Sequence, residues 1–207
     1  MYSKHRLEAL SDGIFAIAMT LLVLELKVPG HVAQGELGHV LKQDSHAWVS
    51  FVVTFAIASV FWTLQHRVFD AVEGYGPQTM VPTFFFLGLV SVLPFSTSLW
   101  GQHLGEPLAF FLYFLNQFAI AAALTIKLEL ARSYGHLHPG ADIRILRFRL
   151  WTMVISMGAA ALGAWFLPSR YMGIAPALCG AVLGRIRRHL ARKYAAQAKT
   201  LAAPQTR

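Results

Sequence analysis

The chain has 207 residues, of which 56% are hydrophobic and only 14% charged, with a mean hydropathy of +0.50 and a formal net charge of +8. A soluble domain carries about 25% charged residues, so this composition excludes one and points to an all-α, polytopic membrane protein. The positive charge does not call for nucleic acid, because Lys and Arg sit beside apolar runs and not along one polar helix or arm. The single Cys179 excludes an intrachain disulfide and a cysteine-rich metal site.

A bilayer-spanning helix needs about 20 mostly apolar residues. Six segments approach that length, at about 8–28, 46–66, 79–100, 108–130, 146–167 and 170–190. Together they make residues 1–190 one six-helix transmembrane domain, followed by a basic cytoplasmic tail at 191–207. The first segment carries an acid and lacks a small-residue cleavage pattern, so it is expected to stay as a first helix and not to be removed as a signal peptide. The polar connections hold Gly, Pro, His and charge, as loops do. With six spans and the N-terminus inside, 15 Lys and Arg residues fall on the inner side, Lys127 among them, and three on the outer side: Lys27, Lys42 and Arg170. That asymmetry predicts a multi-pass cell-membrane protein with both termini cytoplasmic.

On the first helix, at about 100° per residue, Gly13, Ile17, Thr20, Leu21 and Leu24 form one stripe. Ser11 and Asp12 point away from it, toward neighbouring helices. Ile, Leu and Thr at this spacing usually serve packing or lipid contact, and a pore lining is the less common use of such a stripe. Asp12 is an ionisable group at the edge of a membrane segment, which marks a site that needs a partner. The second helix places Trp62 and His66 at i and i+4 on one face near the same end. His66, Arg6 or Arg67 could therefore satisfy the carboxylate, while an interfacial Trp with a snorkelling basic residue explains the same residues as well.

Pro94 in the third helix predicts a kink, with the hydroxyls of Ser96 and Thr97 available to freed carbonyls. Asn116 and Gln117 in the fourth helix suit inter-helix packing. Trp48, Trp100 and Trp165 read as interfacial anchors. The run Val72–Gly76 echoes a potassium filter, but Glu73 interrupts it and an inner loop holds it, so a turn is the better reading. His136 and His138 form a solvated loop pair. No HExxH, GxSxG or clustered metal-ligand spacing occurs, so no enzyme, cofactor or bound metal is expected.

The stretch Arg6-Leu7-Glu8-Ala9-Leu10-Ser11-Asp12-Gly13 resembles the Arg-x-x-x-Phe-Ser-Asp-Gly signature of the transmembrane protein 175 family of potassium channels, in its prokaryotic branch, with Leu10 in the Phe position. Leu22 to Pro29, Trp62 with His66, and Leu93-Pro94-Phe95 also look like the family. The resemblance implies a homotetramer in which the first helices line a central pore without a carbonyl filter. Ile17, Leu21 and Leu24 would then form the constriction, with Gly13 and Thr20 lining the pore, and Arg6, Ser11, Asp12 and His66 would form an inter-helix polar network. The expected function is passive permeation of potassium and other monovalent cations. A secondary transporter, which needs a midplane site, and a non-conducting membrane scaffold are the alternatives.

Overall fold

The computed structural model of the chain describes residues 4–26, 45–73 and 76–166, together with 35, 36, 38, 39 and 41. The expected sixth span at 170–190, Cys179 and the tail at 191–207 lie outside the described residues. The described part is helical: α1 (Lys4–Leu21), continued by a 3-10 turn (Leu22–Glu25), α2 (Ser45–Ala71), α3 (Pro77–Ser91), α4 (Leu93–Gln102), α5 (Pro107–Ser133) and α6 (Arg144–Gly163). Five helical stretches among the described residues are long and apolar enough to cross a membrane, with α3 and α4 acting as one stretch from Gln78 to Gln102.

Local chemistry sets several of these boundaries. Pro77 and Pro107 open α3 and α5, where a missing backbone N–H costs nothing because the first helical donors have no partner within the helix. At the kink expected from Pro94, the helix is interrupted at the single residue Val92, which keeps right-handed helical dihedrals. Proline at position 94 cannot donate to Val90 and crowds that carbonyl, so the chain turns instead, with the Val92 N–H on the Leu89 carbonyl at 3.2 Å. The hydroxyls of Ser96 and Thr97 fold back on the Leu93 carbonyl at 3.1 and 2.7 Å.

Helix α5 is the centre of the bundle. It buries Phe110, Tyr113, Phe114, Gln117, Ile120, Leu124 and Leu128 and packs on α6, α3 and α4, while α1 lies against α2, α3 and α4. A polar seam crosses this core. The Thr54 hydroxyl of α2 is 2.9 Å from the Tyr113 hydroxyl and accepts from the Thr97 hydroxyl at 3.1 Å, and Asn116 Nδ2 donates to Ser96 Oγ at 3.0 Å. Asn116 therefore does the packing work expected of it, tying α5 to α4. Trp100 is no interfacial anchor: it is buried and stacks on Tyr113 with ring centroids 4.6 Å apart. Trp48 and Trp165 are exposed on the outer surface of the bundle.

Of the Val72–Gly76 run, expected to be a turn, Gly74 and Tyr75 lie outside the described residues, and Val72 and Glu73 follow the end of α2. Val72 pairs with Leu137 in an isolated antiparallel bridge. The Glu73 N–H donates to the His136 carbonyl and the His138 N–H to the Ala71 carbonyl, each at 2.9 Å. The α5–α6 loop is thereby stapled to the end of α2. Asp142 begins α6 by accepting from the Arg144 backbone and guanidinium at 3.1 Å.

The bundle leaves many large apolar side chains uncovered, including Val81, Phe84, Phe85, Phe95 and Ile155. In water such continuous apolar exposure drives association or aggregation. In hydrocarbon it carries no penalty, because lipid tails are as apolar as the side chains.

Candidate functional site

The α1 helix has two faces of opposite use. Leu7, Ser11, Phe15, Ala18 and Leu22 recur at three- and four-residue steps and are buried in the chain's own core. Phe15 sets its ring against Phe86 of α3 with centroids 5.9 Å apart. Ile17 sits about 200° around the helix from Phe15, and 60% of its surface is exposed. Gly13, Thr20 and Leu21 are exposed too, and Leu24 is 63% exposed. The stripe expected from sequence is thus the face that the described part of the chain leaves exposed.

The upper end of that stripe differs in geometry from the expectation of one α-helix over about 8–28. Leu22–Glu25 wind as a 3-10 turn, in which residues three apart eclipse one another. Leu24 therefore stands directly over Leu21 instead of being rotated past it. The Thr20 hydroxyl donates back to the Ala16 and Ile17 carbonyls, both at 2.9 Å, so only its lone pairs face outward.

The polar residues around Asp12 are brought together in part. Trp62 Nε1 of α2 donates to Asp12 Oδ1 at 2.9 Å, and His66 Nδ1 lies 3.9 Å from the same oxygen. The two rings are 4.5 Å apart, as their i, i+4 spacing dictates. The direct partner of Asp12 is Trp62, whereas the sequence points to His66, Arg6 or Arg67 for that role; the spacing of Trp62 from His66 is the available signal. Ser11 points the other way, into the bundle, and is 1% exposed. Arg6 is exposed, and no hydrogen bond or ion pair from it occurs among the described residues. Asp12 and His66 are each nearly half exposed on their side chains, which leaves room for further partners.

Lys127 is a second site that the sequence did not reveal. It does not belong with the inner-side charges: it is fully buried within α5, with its ammonium 3.8 Å from the centroid of the Phe69 ring of α2. Two residues on, on a different face of α5, Glu129 binds Arg147 Nε of α6 at 2.6 Å and Arg132 Nη1 at 3.2 Å. No cluster of three or more metal-ligating side chains occurs among the described residues.

Comparison with known proteins bears on this arrangement. The family model described as the endosomal/lysosomal potassium channel TMEM175 matches residues 6–94, the part that holds α1, its partner α2 and the break at Val92. A Streptomyces collinus protein named as a potassium channel is 32% identical over 177 residues, or 79% of this chain and 85% of its own. The chain belongs to the TMEM175 family. Within it, a Chamaesiphon minutus protein, also named a potassium channel, is 40% identical over 106 residues, covering 50% of this chain and 52% of its own. The fold also matches the crystal structure of a lysosomal potassium-selective channel TMEM175 homolog from Chamaesiphon minutus, with a TM-score of 0.69 and 28% identity over 87% of this chain and 97% of that one. These relatives put the chain in the prokaryotic TMEM175 branch, a family of channels and not of enzymes.

Proposed function

We propose that the chain is a potassium-permeable cation channel, a passive pore formed by four copies with α1 of each facing the axis. The observation that carries this reading is the two-faced α1, with Ile17 and Leu24 uncovered directly opposite the seam that binds the helix to its own bundle. The potassium-channel names of relatives that share this fold support it. A closed ring of four α1 helices would cover the open face and bring four Ile17 side chains together, with Leu21 and Leu24 stacked above, and Gly13 and Thr20 completing the lining.

The stripe carries no charged side chain, so an ion at the neck gains no opposite charge to replace its hydration. Selection then rests on the energy needed to strip water, which is lower for potassium than for sodium, and an apolar neck can also close by dewetting. Asp12, held by Trp62 and adjacent to His66, works beside the pathway and keeps α1 in register against α2; Ser11 packs α1 within its own bundle, and the exposed Arg6 is available to a second copy. Both termini lie in the cytoplasm, on the arginine-rich side. The test is reversal potential and single-channel recording in purified, reconstituted protein. Ile17→Asn should wet the neck and lower the potassium-to-sodium permeability ratio. Unchanged reversal potentials would remove Ile17 from selection, and saturable coupled flux without unitary currents would point to a transporter.

A further inference from the structure

We propose that the groove between α5 and α6, at the arginine-rich end of the bundle, binds an anionic phospholipid, with its phosphate at Arg132 and an acyl chain along Ala122, Ile126 and Val154. The groove has a volume of about 690 Å³, enough for a lipid headgroup and the first part of a chain. Its chemistry changes along its length. Ala122, Ile126 and Val154 line the part nearer the membrane centre, and Glu129, Arg132 and Trp151 line the part nearer the helix ends.

The polar end is organised by a single carboxylate. Glu129 accepts from Arg147 Nε at 2.6 Å, Arg132 Nη1 at 3.2 Å and Trp151 Nε1 at 3.4 Å. One carboxylate cannot neutralise two guanidinium groups, so the cluster keeps a net positive charge. A guanidinium has five N–H donors in a fixed fork, and Glu129 takes one from each. The Arg132 side chain is 51% exposed, and its remaining donors can bind a phosphate in two-pronged fashion. Glu129 thus acts as a brace that fixes both arginines. Trp151, half exposed at the same level, suits the headgroup depth where indoles partition. Basic pockets between spanning helices at the cytoplasmic side are suited to anionic headgroups, and net charge favours phosphatidylglycerol over a zwitterionic lipid.

The experiment uses delipidated full-length protein in detergent, titrated with phosphatidylglycerol or phosphatidylcholine of identical acyl chains. Phosphatidylglycerol should raise the melting temperature by about 3 °C more than phosphatidylcholine does. Arg132→Gln should abolish that difference while keeping the phosphatidylcholine response, and Ala122→Phe, which fills the groove, should also abolish it. A photo-crosslinking side chain in place of Ile126, activated in native membranes, gives a reading independent of those two variants: a phospholipid adduct supports the proposal. Equal shifts from both lipids, or a difference that survives Arg132→Gln, would overturn it. So would glycerol phosphate alone reproducing the shift, which assigns a free anion, or crosslinks from position 126 to this chain or a second copy, which assign the groove to protein packing.

Discussion

Trp62 and Asp12 meet across 50 positions of sequence, the indole N–H of α2 donating to the carboxylate of α1 at 2.9 Å. The contact joins the helix with the exposed Ile17 stripe to α2. A hydrogen bond to a charged group contributes about 1.5–3 kcal/mol, and partial exposure here reduces that to about 1 kcal/mol. Trp62→Phe should lower thermal stability by that amount in detergent. Asp12→Ala should damage assembly or expression more than ion preference, measured by size-exclusion profile and reversal potential. Well-folded Asp12→Ala oligomers with altered selectivity would contradict the bracing role.

A double-mutant cycle tests the buried ammonium. Lys127 lies over the Phe69 ring at 3.8 Å, a desolvated cation–π pair of about 2 kcal/mol. Phe69→Leu should therefore cost more stability in the wild-type background than in Lys127→Met, and the difference should approach that coupling. Additive losses would mean that the ring serves only as packing.

The seam of Thr54, Tyr113 and Thr97 predicts a smaller effect. Tyr113→Phe keeps the stacking on Trp100 and removes one hydroxyl shared with Thr54. Inter-helix hydrogen bonds in membranes contribute about 0.6 kcal/mol on average, so the midpoint should fall by only a few degrees. Tyr113→Ala, which also removes the ring, should prevent recovery of folded protein.

Asp142 gives a pH dependence of defined sign. Hydrogen bonds from the Arg144 side chain and backbone N–H hold its carboxyl below the usual carboxylate value. A group so depressed stabilises the fold above its unfolded pKa, about 3.9, and loses that contribution as pH falls through the lower folded value. Asp142→Asn should thus be slightly less stable than wild type near pH 7 and equal to it below the folded pKa. Melting curves at the two pH values check this, with the neutral-pH difference kept small by full solvent exposure.

The helical architecture was legible because apolar length alone dictates spanning helices, and the 3.6-residue period separated the Ile17 stripe of α1 from the opposite seam. Residues whose role depends on another helix were less so. Lys127 reads as an end charge until α5 is seen to run on to Ser133, which puts it nearly two turns inside; apolar Leu124, Leu128 and Ala131 around it were the local hint. Trp100 lies near a helix end, where an indole suits the headgroup region, but its environment is set by Tyr113 on α5. The 3-10 winding at Leu22–Glu25 leaves no mark in the sequence, because Leu22, Leu24 and Glu25 suit an α-helix and Val23 disfavours one only slightly.

The division of α1 also bears on how such a helix can change over generations. Substitutions at Leu7, Phe15 or Leu22 must be absorbed by the bundle, whereas those at Leu10, Ile17 or Leu24 fall on surface that the described fold leaves largely exposed. Variation on that more open face is constrained less by the bundle than variation on the buried one. One helix thus combines an inherited scaffold with a surface that mutation can retune one methyl group at a time, without first having to rebuild the fold.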